Sequence, residues 1–202
     1  MRKESIEVMK MKKWISWIVA LVMMMSMMSV TALAGDVLTV GDGEDDDYAT
    51  IQEAINYINT QSNKENWTII VKEGTYARFT VLNGMNNLTV KAADGASVVI
   101  ETLNGDTAPA ETSDAVPNTA GVSIRQANNV TLEGLKFDVG TQADPWYSAA
   151  VSNYTQTTIK GNNIIVKNCI FEGSGSTSGI GVFINTGTTK FTISGCTFTD
   201  LK

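Results

Sequence analysis

The residues with the clearest chemistry in this 202-residue chain lie in one short polar stretch, residues 142–147. Asp144 is followed, after a proline, by two adjacent aromatic residues, Trp146 and Tyr147. Aromatic faces stack on sugar rings, a carboxylate accepts hydrogen bonds from sugar hydroxyls, and loops on rigid scaffolds often carry such residues. We therefore predict a carbohydrate-binding loop. In the alternative interpretation, Trp146 or Tyr147 folds back over an apolar flank of the domain.

A second group of candidate ligands is an acidic run in which Asp45, Asp46 and Asp47 are consecutive. Carboxylate oxygens are ligands that Ca²⁺ prefers in proteins, so the run is a candidate calcium site. The alternative is a solvated turn before a helix, where negative charge also favours the positive end of the helix dipole.

Composition excludes several functions. The chain has no histidine, which removes His-dependent nucleophilic triads and most catalytic zinc sites. Without residues 1–34 it has 10 basic and 19 acidic residues, a net charge of −9. Such a chain is not expected to bind nucleic acid. It would also repel an acidic polysaccharide unless a cation such as Ca²⁺ lay between the two.

The N-terminus predicts export. Five basic residues precede an apolar run from Trp14 to Val30, and Ala32-Leu33-Ala34 follows. A basic start, a hydrophobic stretch and an A-x-A ending are the parts of a secretory signal peptide. We predict that residues 1–34 are removed and that the mature chain, 35–202, is secreted or held at a cell surface without membrane insertion. The alternative is an uncleaved anchor.

One helix is predicted near the start of the mature chain, after a short strand at 37–40. Thr50 and Glu53 form a capping box. Ile51, Ala54, Ile55 and Ile58 then follow at the i, i+3, i+4 and i+7 spacing of one apolar helix face. The helix should end near residue 59.

The rest of the chain carries a repeat. Three nine-residue segments, 129–137, 163–171 and 190–198, align without gaps, with apolar residues at positions two, four, seven and nine. Gly or Asn at position six breaks each segment into two strands. A weaker copy begins at Asn87, and the offsets between copies are 42, 34 and 27 residues. Stacked copies would bury a continuous interior. Since a coil needs roughly 20 residues, the surplus should leave as loops at 104–120 and 140–147.

These features predict an all-β chain folded as a right-handed parallel β-helix. An antiparallel sandwich is the alternative. Cys169 and Cys196 share position seven of the repeat, so we expect two thiols stacked in the interior. N-x-T triplets begin at Asn66, Asn87 and Asn129, as well as at residue 153. Asn tolerates left-handed turns and Thr favours strands, so the fold explains the triplets without glycans.

The repeat resembles that of the pectin-lyase-like superfamily of right-handed parallel β-helix proteins. Residues 48–55 and 69–76 resemble the N-terminal capping region of pectin methylesterases and their relatives, in which the helix covers the open end of the solenoid. The resemblance disfavours an esterase, because Tyr76 is followed by Ala77-Arg78 without the family's glutamate. It permits a polysaccharide lyase, in which carboxylates hold Ca²⁺ and an Arg or Lys abstracts a proton. However, Arg78 and Arg125 lack an evident carboxylate cluster, so no catalytic residue is assigned.

We therefore expect a polysaccharide-binding surface protein. The alternative is a polysaccharide lyase or other pectin-active enzyme whose catalytic coils lie mostly beyond residue 202. A pair of outward carboxylates near a Lys or Arg on one sheet face would favour the enzyme, whereas uniform Thr, Ser and Asn ladders would favour the binding module. Because solenoids need capped ends and the chain stops directly after a repeat, we also expect more of the same polypeptide beyond residue 202.

Overall fold

Fifteen strands and one helix form the part of the chain that the computed structural model describes. That part comprises residues 36–102, 121–124, 126–139, 149–153, 161–173, 180–184 and 190–201, all within one compact unit, Gly35–Lys202. The predicted signal peptide, residues 1–34, lies outside the described residues. In chain order the elements are β1 (Val37–Val40), α1 (Ile51–Thr60), β2 (Thr68–Val71), β3 (Gly74–Tyr76), β4 (Phe79–Val81), β5 (Thr89–Ala92), β6 (Val98–Glu101), β7 (Val122–Ile124), β8 (Thr131–Glu133), β9 (Leu135–Val139), β10 (Ala149–Asn153), β11 (Ile164–Lys167), β12 (Ile170–Gly173), β13 (Ile180–Ile184), β14 (Phe191–Ser194) and β15 (Thr197–Thr199).

The strands form three parallel sheets that the chain visits in turn. The first sheet has the order β1-β2-β5-β8-β11-β14, the second β3-β6-β9-β12-β15 and the third β4-β7-β10-β13. All pairings between these strands are parallel, and parallel crossovers are almost always right-handed. The predicted right-handed parallel β-helix is confirmed, and the antiparallel sandwich is wrong. The third sheet is new, because the repeat revealed only two strands per coil.

The register of the sheets confirms the repeat alignment. Leu132 pairs with Val166, and Ile164 with Phe191, at the predicted offsets of 34 and 27 residues. At position nine, Phe137, Phe171 and Phe198 stack, with ring centroids 4.9 and 4.6 Å apart. Aligned segments therefore lie on top of one another, and their apolar positions face one shared interior.

The bend between the first and second sheets is short and repeats from coil to coil. Gly134, Asn168 and Gly195 hold φ values of 69°, 54° and 63°. Gly adopts this left-handed conformation without steric cost, and Asn tolerates it better than most residues. The chain therefore turns the corner within two residues, as position six predicted.

Helix α1 begins as predicted. Oγ1 of Thr50 accepts from the backbone N–H of Glu53 at 3.2 Å, and the Glu53 carboxylate accepts from the N–H of Thr50 at 3.0 Å. Its apolar residues are buried against β1, β2 and β4, the first strands of the solenoid. The helix ends at Thr60, one residue later than expected. Among the described residues, no helix is both long enough and apolar enough to cross a membrane.

Asparagines line the corner that leads into the first sheet. Asn66, Asn87, Asn129 and Asn163 all have positive φ, and each side chain after the first donates to the one before it at 2.7–3.0 Å. The left-handed turns predicted at the triplets are confirmed. Asn153 lies instead in β10. Both cysteines are free thiols, as expected, but only Cys169 is buried, whereas Cys196 is partly exposed.

Candidate functional site

The predicted carbohydrate-binding loop connects the second sheet to the third. Residues 140–148 join β9 to β10, so Asp144, Trp146 and Tyr147 lie outside the described residues. What the structure gives is the position of the two anchors of this segment, Val139 and Ala149.

Other long connections leave from the same corner of the solenoid. Residues 102–121 join β6 to β7, and residues 174–179 join β12 to β13. The bend from the first to the second sheet in the three coils takes five, one and two residues. The longest connection, 102–121, lies at the corner between the second and third sheets, which we call the loop corner.

An acidic row runs along the loop corner. Glu101, Asp138 and Glu172 occupy consecutive coils in direct register, and each lies at or within one residue of the end of its strand. All three side chains are exposed. Adjacent strands lie about 4.8 Å apart, so the row presents carboxylates at short, regular spacing. Asp138 stands two residues before the start of the segment that carries Trp146 and Tyr147.

One cation accompanies the acidic row. Nζ of Lys136 lies 2.6 Å from a carboxylate oxygen of Glu172. In the adjacent outward row, Lys136 is flanked by the register partners Val99 and Ile170, and Ile170 is exposed. The face thus combines acceptors, one donor and apolar surface, the mixture with which proteins hold sugars.

Sheet stability does not explain the acidic row. Like charges directly opposite each other on neighbouring strands are destabilising, and the Lys136 bridge reaches only Glu172. Thr at these positions would suit a strand better, and Thr199 does occupy the next place in the row. An arrangement that costs stability marks a candidate binding surface.

The aligned repeat contains enough information to predict two of the three residues in this row. Asp138 and Glu172 follow position nine of the aligned repeat, so both stand at position ten, where Thr199 completes the set. Glu101 was hidden, because its coil showed only the first half of the repeat.

The proposed calcium ligands have other partners. The carboxylate of Asp46 pairs with Nζ of Lys72 at 2.7 Å and accepts from the N–H of Gly43 at 2.9 Å. Asp47 accepts from both the N–H and the hydroxyl of Thr39, at 2.7 and 2.9 Å. The hydrogen bond from Lys72 holds the pKa of Asp46 below its usual value, although burial acts in the opposite direction.

These contacts build a turn, which agrees with the structural alternative. A Cβ atom on Gly41 or Gly43 would collide with the Asp46 carboxylate, so the glycines let the chain wrap around it. In the described ranges, no three Asp, Glu, Cys or His side chains are grouped so that they could hold a metal ion, and Asp45, Asp46 and Asp47 are not such a group.

Arg78 lies in the two-residue link between β3 and β4, at the loop corner of its coil. Its Nη1 is buried and has no hydrogen-bond partner in the described part of the chain, and burial lowers the pKa of the guanidinium. Arg125 lies outside the described residues.

Comparison with known proteins returns two solved structures. No family model and no curated protein matches the chain. The chain is similar to the pectin methylesterase from Aspergillus niger in deglycosylated form, at 20% identity and a TM-score of 0.46, over 83% of this chain and 60% of that one. It is also similar to PfbA, a surface adhesin of Streptococcus pneumoniae, at 15% identity and a TM-score of 0.32, over 80% of this chain and 62% of that one.

The chain thus spans about three fifths of the length of each of these structures. At such identities the likeness concerns the fold alone.

Proposed function

We propose that this protein binds polysaccharide along the loop corner, with the acidic row as one part of the site and Asp144, Trp146 and Tyr147 as the other. The observation that carries the proposal is the register of Glu101, Asp138 and Glu172. Three exposed carboxylates stand in line where repulsion between them lowers stability, and the chain leads directly from this row into the aromatic segment.

The charge of the row selects the polymer. Carboxylates accept hydrogen bonds from hydroxyls, so a neutral polysaccharide can bind directly. A polyuronate would be repelled by a mature chain of net charge −9, and it would bind only where Ca²⁺ neutralises both surfaces. We therefore expect neutral polymers to bind with or without calcium.

The protein acts outside the cell in this proposal, as part of a larger surface protein. Ile193 and Phe198 in the last described coil are 43% and 45% exposed, whereas their register partners Val166 and Phe171 are fully buried. A further coil stacked on β14 and β15 would cover these side chains. The chain would then be the N-terminal part of a longer carbohydrate-associated solenoid.

The test is binding to a panel of soluble neutral polysaccharides by calorimetry, using the variant Asp138→Asn. Glu133→Gln is the matched control, because Glu133 is an outward carboxylate of the same coil on the first sheet. For the loop, Trp146→Ala is compared with Gln142→Ala. Asp138→Asn and Trp146→Ala should each weaken binding about tenfold, the loss of one charged hydrogen bond or one stacked ring.

The controls should bind like the unaltered chain. Equal affinities for Asp138→Asn and Glu133→Gln would remove the acidic row from the site. Unchanged affinity of Trp146→Ala would remove the loop. Absence of binding to every polymer, with and without calcium, would overturn the proposal.

A second function is favoured by one specific observation. The acidic row with Lys136 beside Glu172 is the pairing of outward carboxylates and a base that would favour a polysaccharide-cleaving enzyme. The Asn ladder, by contrast, is the feature expected of a binding module. Incubation with polygalacturonate, with and without Ca²⁺, followed by assays for reducing ends and unsaturated products, separates the two functions. Product formed by this chain and lost in Lys136→Met would establish the enzyme.

A further inference from the structure

A hollow lies between the start of β1 and the end of α1. It has a volume of about 410 Å³, within the range of small-ligand sites. Its walls come from the first residues of β1, the last turn of α1 and the segment that leads to β2. None of the acidic-row residues lines it.

Two aromatic rings form a corner of this hollow. Tyr57 and Trp67 stand nearly perpendicular, with an interplanar angle of 87° and ring centroids 6.0 Å apart. Tyr57 is 39% exposed, whereas Trp67 is only 6% exposed, so Tyr57 forms the accessible wall. The indole N–H of Trp67 donates to the backbone carbonyl of Asn63 at 3.1 Å, which fixes the orientation of the inner ring.

Two groups with negative charge or partial charge border the hollow. Asp36 supplies a carboxylate, and the C-terminal end of α1 supplies the negative end of the helix dipole, with no basic residue in its last turn. No described residue that lines the hollow is basic. Lys64 does not line the hollow, and its Nζ donates to Oδ1 of Asn59 at 2.8 Å.

From this combination we infer that the hollow binds an organic ammonium cation. An ammonium group is attracted to the face of Tyr57 by the ring quadrupole and to Asp36 by its charge. Gln61 and Asn63 also line the hollow, where Nε2 of Gln61 donates to the carbonyl of Tyr57 at 3.3 Å and Oδ1 of Asn63 accepts from the N–H of Glu65 at 3.0 Å. Quaternary amines and amino sugars share the required group, and the site is independent of the proposed polysaccharide surface.

The test is an NMR titration with two pairs of probes that differ in charge. Choline is compared with 3,3-dimethyl-1-butanol, which has the same shape without the charge, and glucosamine is compared with glucose. The charged member should bind at least about tenfold more tightly in one or both pairs. Amide signals of residues 36–38 and 61–63 should shift. The pair with the larger difference identifies the ligand as a quaternary amine or an amino sugar.

Variants locate the cation. Tyr57→Leu should weaken the charged probe about tenfold, Tyr57→Phe should retain binding, and Asp36→Asn should weaken it several-fold. Asp138→Asn, on the polysaccharide face, should leave it unchanged. If Tyr57→Leu unfolds, Asp36→Asn decides, because Asp36 is exposed. Equal affinity for charged and neutral probes, or no effect of Asp36→Asn, would overturn the inference.

Discussion

The outer faces of the first and second sheets differ in how charged side chains are stacked from coil to coil. On the first sheet, Lys91, Glu133 and Lys167 stand in register, so the charges alternate, and Lys167 lies 3.0 Å from Glu133. On the second sheet, the corresponding row is acidic in three consecutive coils. The alternating charges of the first row favour the stability of the solenoid, whereas the like charges of the second row oppose it.

The largest effect on the free energy of unfolding should come from a substitution in the interior that supports both faces. Phe171 is fully buried between Phe137 and Phe198, and Phe171→Ala should reduce the free energy of unfolding by about 3–5 kcal/mol. Urea denaturation measures this loss. A loss below 1 kcal/mol would mean that the two faces do not depend on a common core.

Reversing one charge should make the first row resemble the second. Glu133→Lys places three like charges in register on the first sheet, which should destabilise the chain by about 1 kcal/mol. The loss should shrink in high salt, because these side chains are partly exposed. Glu133→Gln is the control and should lose less. A salt-independent loss would assign the effect to packing instead of charge.

Removing one charge from the acidic row of the second sheet should change the free energy of unfolding by less than Glu133→Lys does, and in the opposite direction. Asp138→Thr removes the central repulsion and adds a residue that favours strands. We expect a gain in unfolding free energy of a few tenths of a kcal/mol, together with weaker polysaccharide binding. Glu53→Thr, which also replaces a carboxylate by Thr but within the capping box, should instead destabilise the helix. A loss of stability in Asp138→Thr would mean that the acidic row is structural.

The two thiols at the bend between these faces should react with alkylating reagents at different rates. At neutral pH this difference should have little effect on the stability of the protein. Burial raises the pKa of Cys169 to about 12, whereas Cys196 is only partly covered. Iodoacetamide at pH 8 should therefore modify Cys196 in the native protein and spare Cys169, as mass spectrometry would show.

The same shift gives a pH dependence. Because the folded pKa of Cys169 lies above the ordinary thiol value of 9.0, its stabilising contribution is complete below pH 9 and is lost as the pH rises toward 12. Unfolding of Cys169→Ala should lack this alkaline component. Rapid alkylation of native Cys169 at pH 8 would contradict the burial on which the prediction depends.

The sequence predicted those parts of the fold whose signals are local. Thr50 and Glu53 lie three residues apart, and Gly134 marks its own bend, so the helix and the first corner could be read directly. The third sheet was missed because β7 has only three residues and β10 follows a long connection, so neither carries a recognisable period. The acidic row depends on register across connections of unequal length, and for Glu101 no local pattern provides it.

The loop corner has a consequence for how such a chain can change. Thr68 and Thr89 are register partners 21 residues apart, and Thr89 and Thr131 are partners 42 residues apart. The stacked strands tolerate this doubling because most of the surplus lies at the loop corner, where the link between the second and third sheets lengthens from residues 77–78 to residues 102–121. Each doubling of loop length costs only about 0.6 kcal/mol. A foreign peptide inserted after Thr102 should therefore project from the loop corner without displacing the strands of the neighbouring coils.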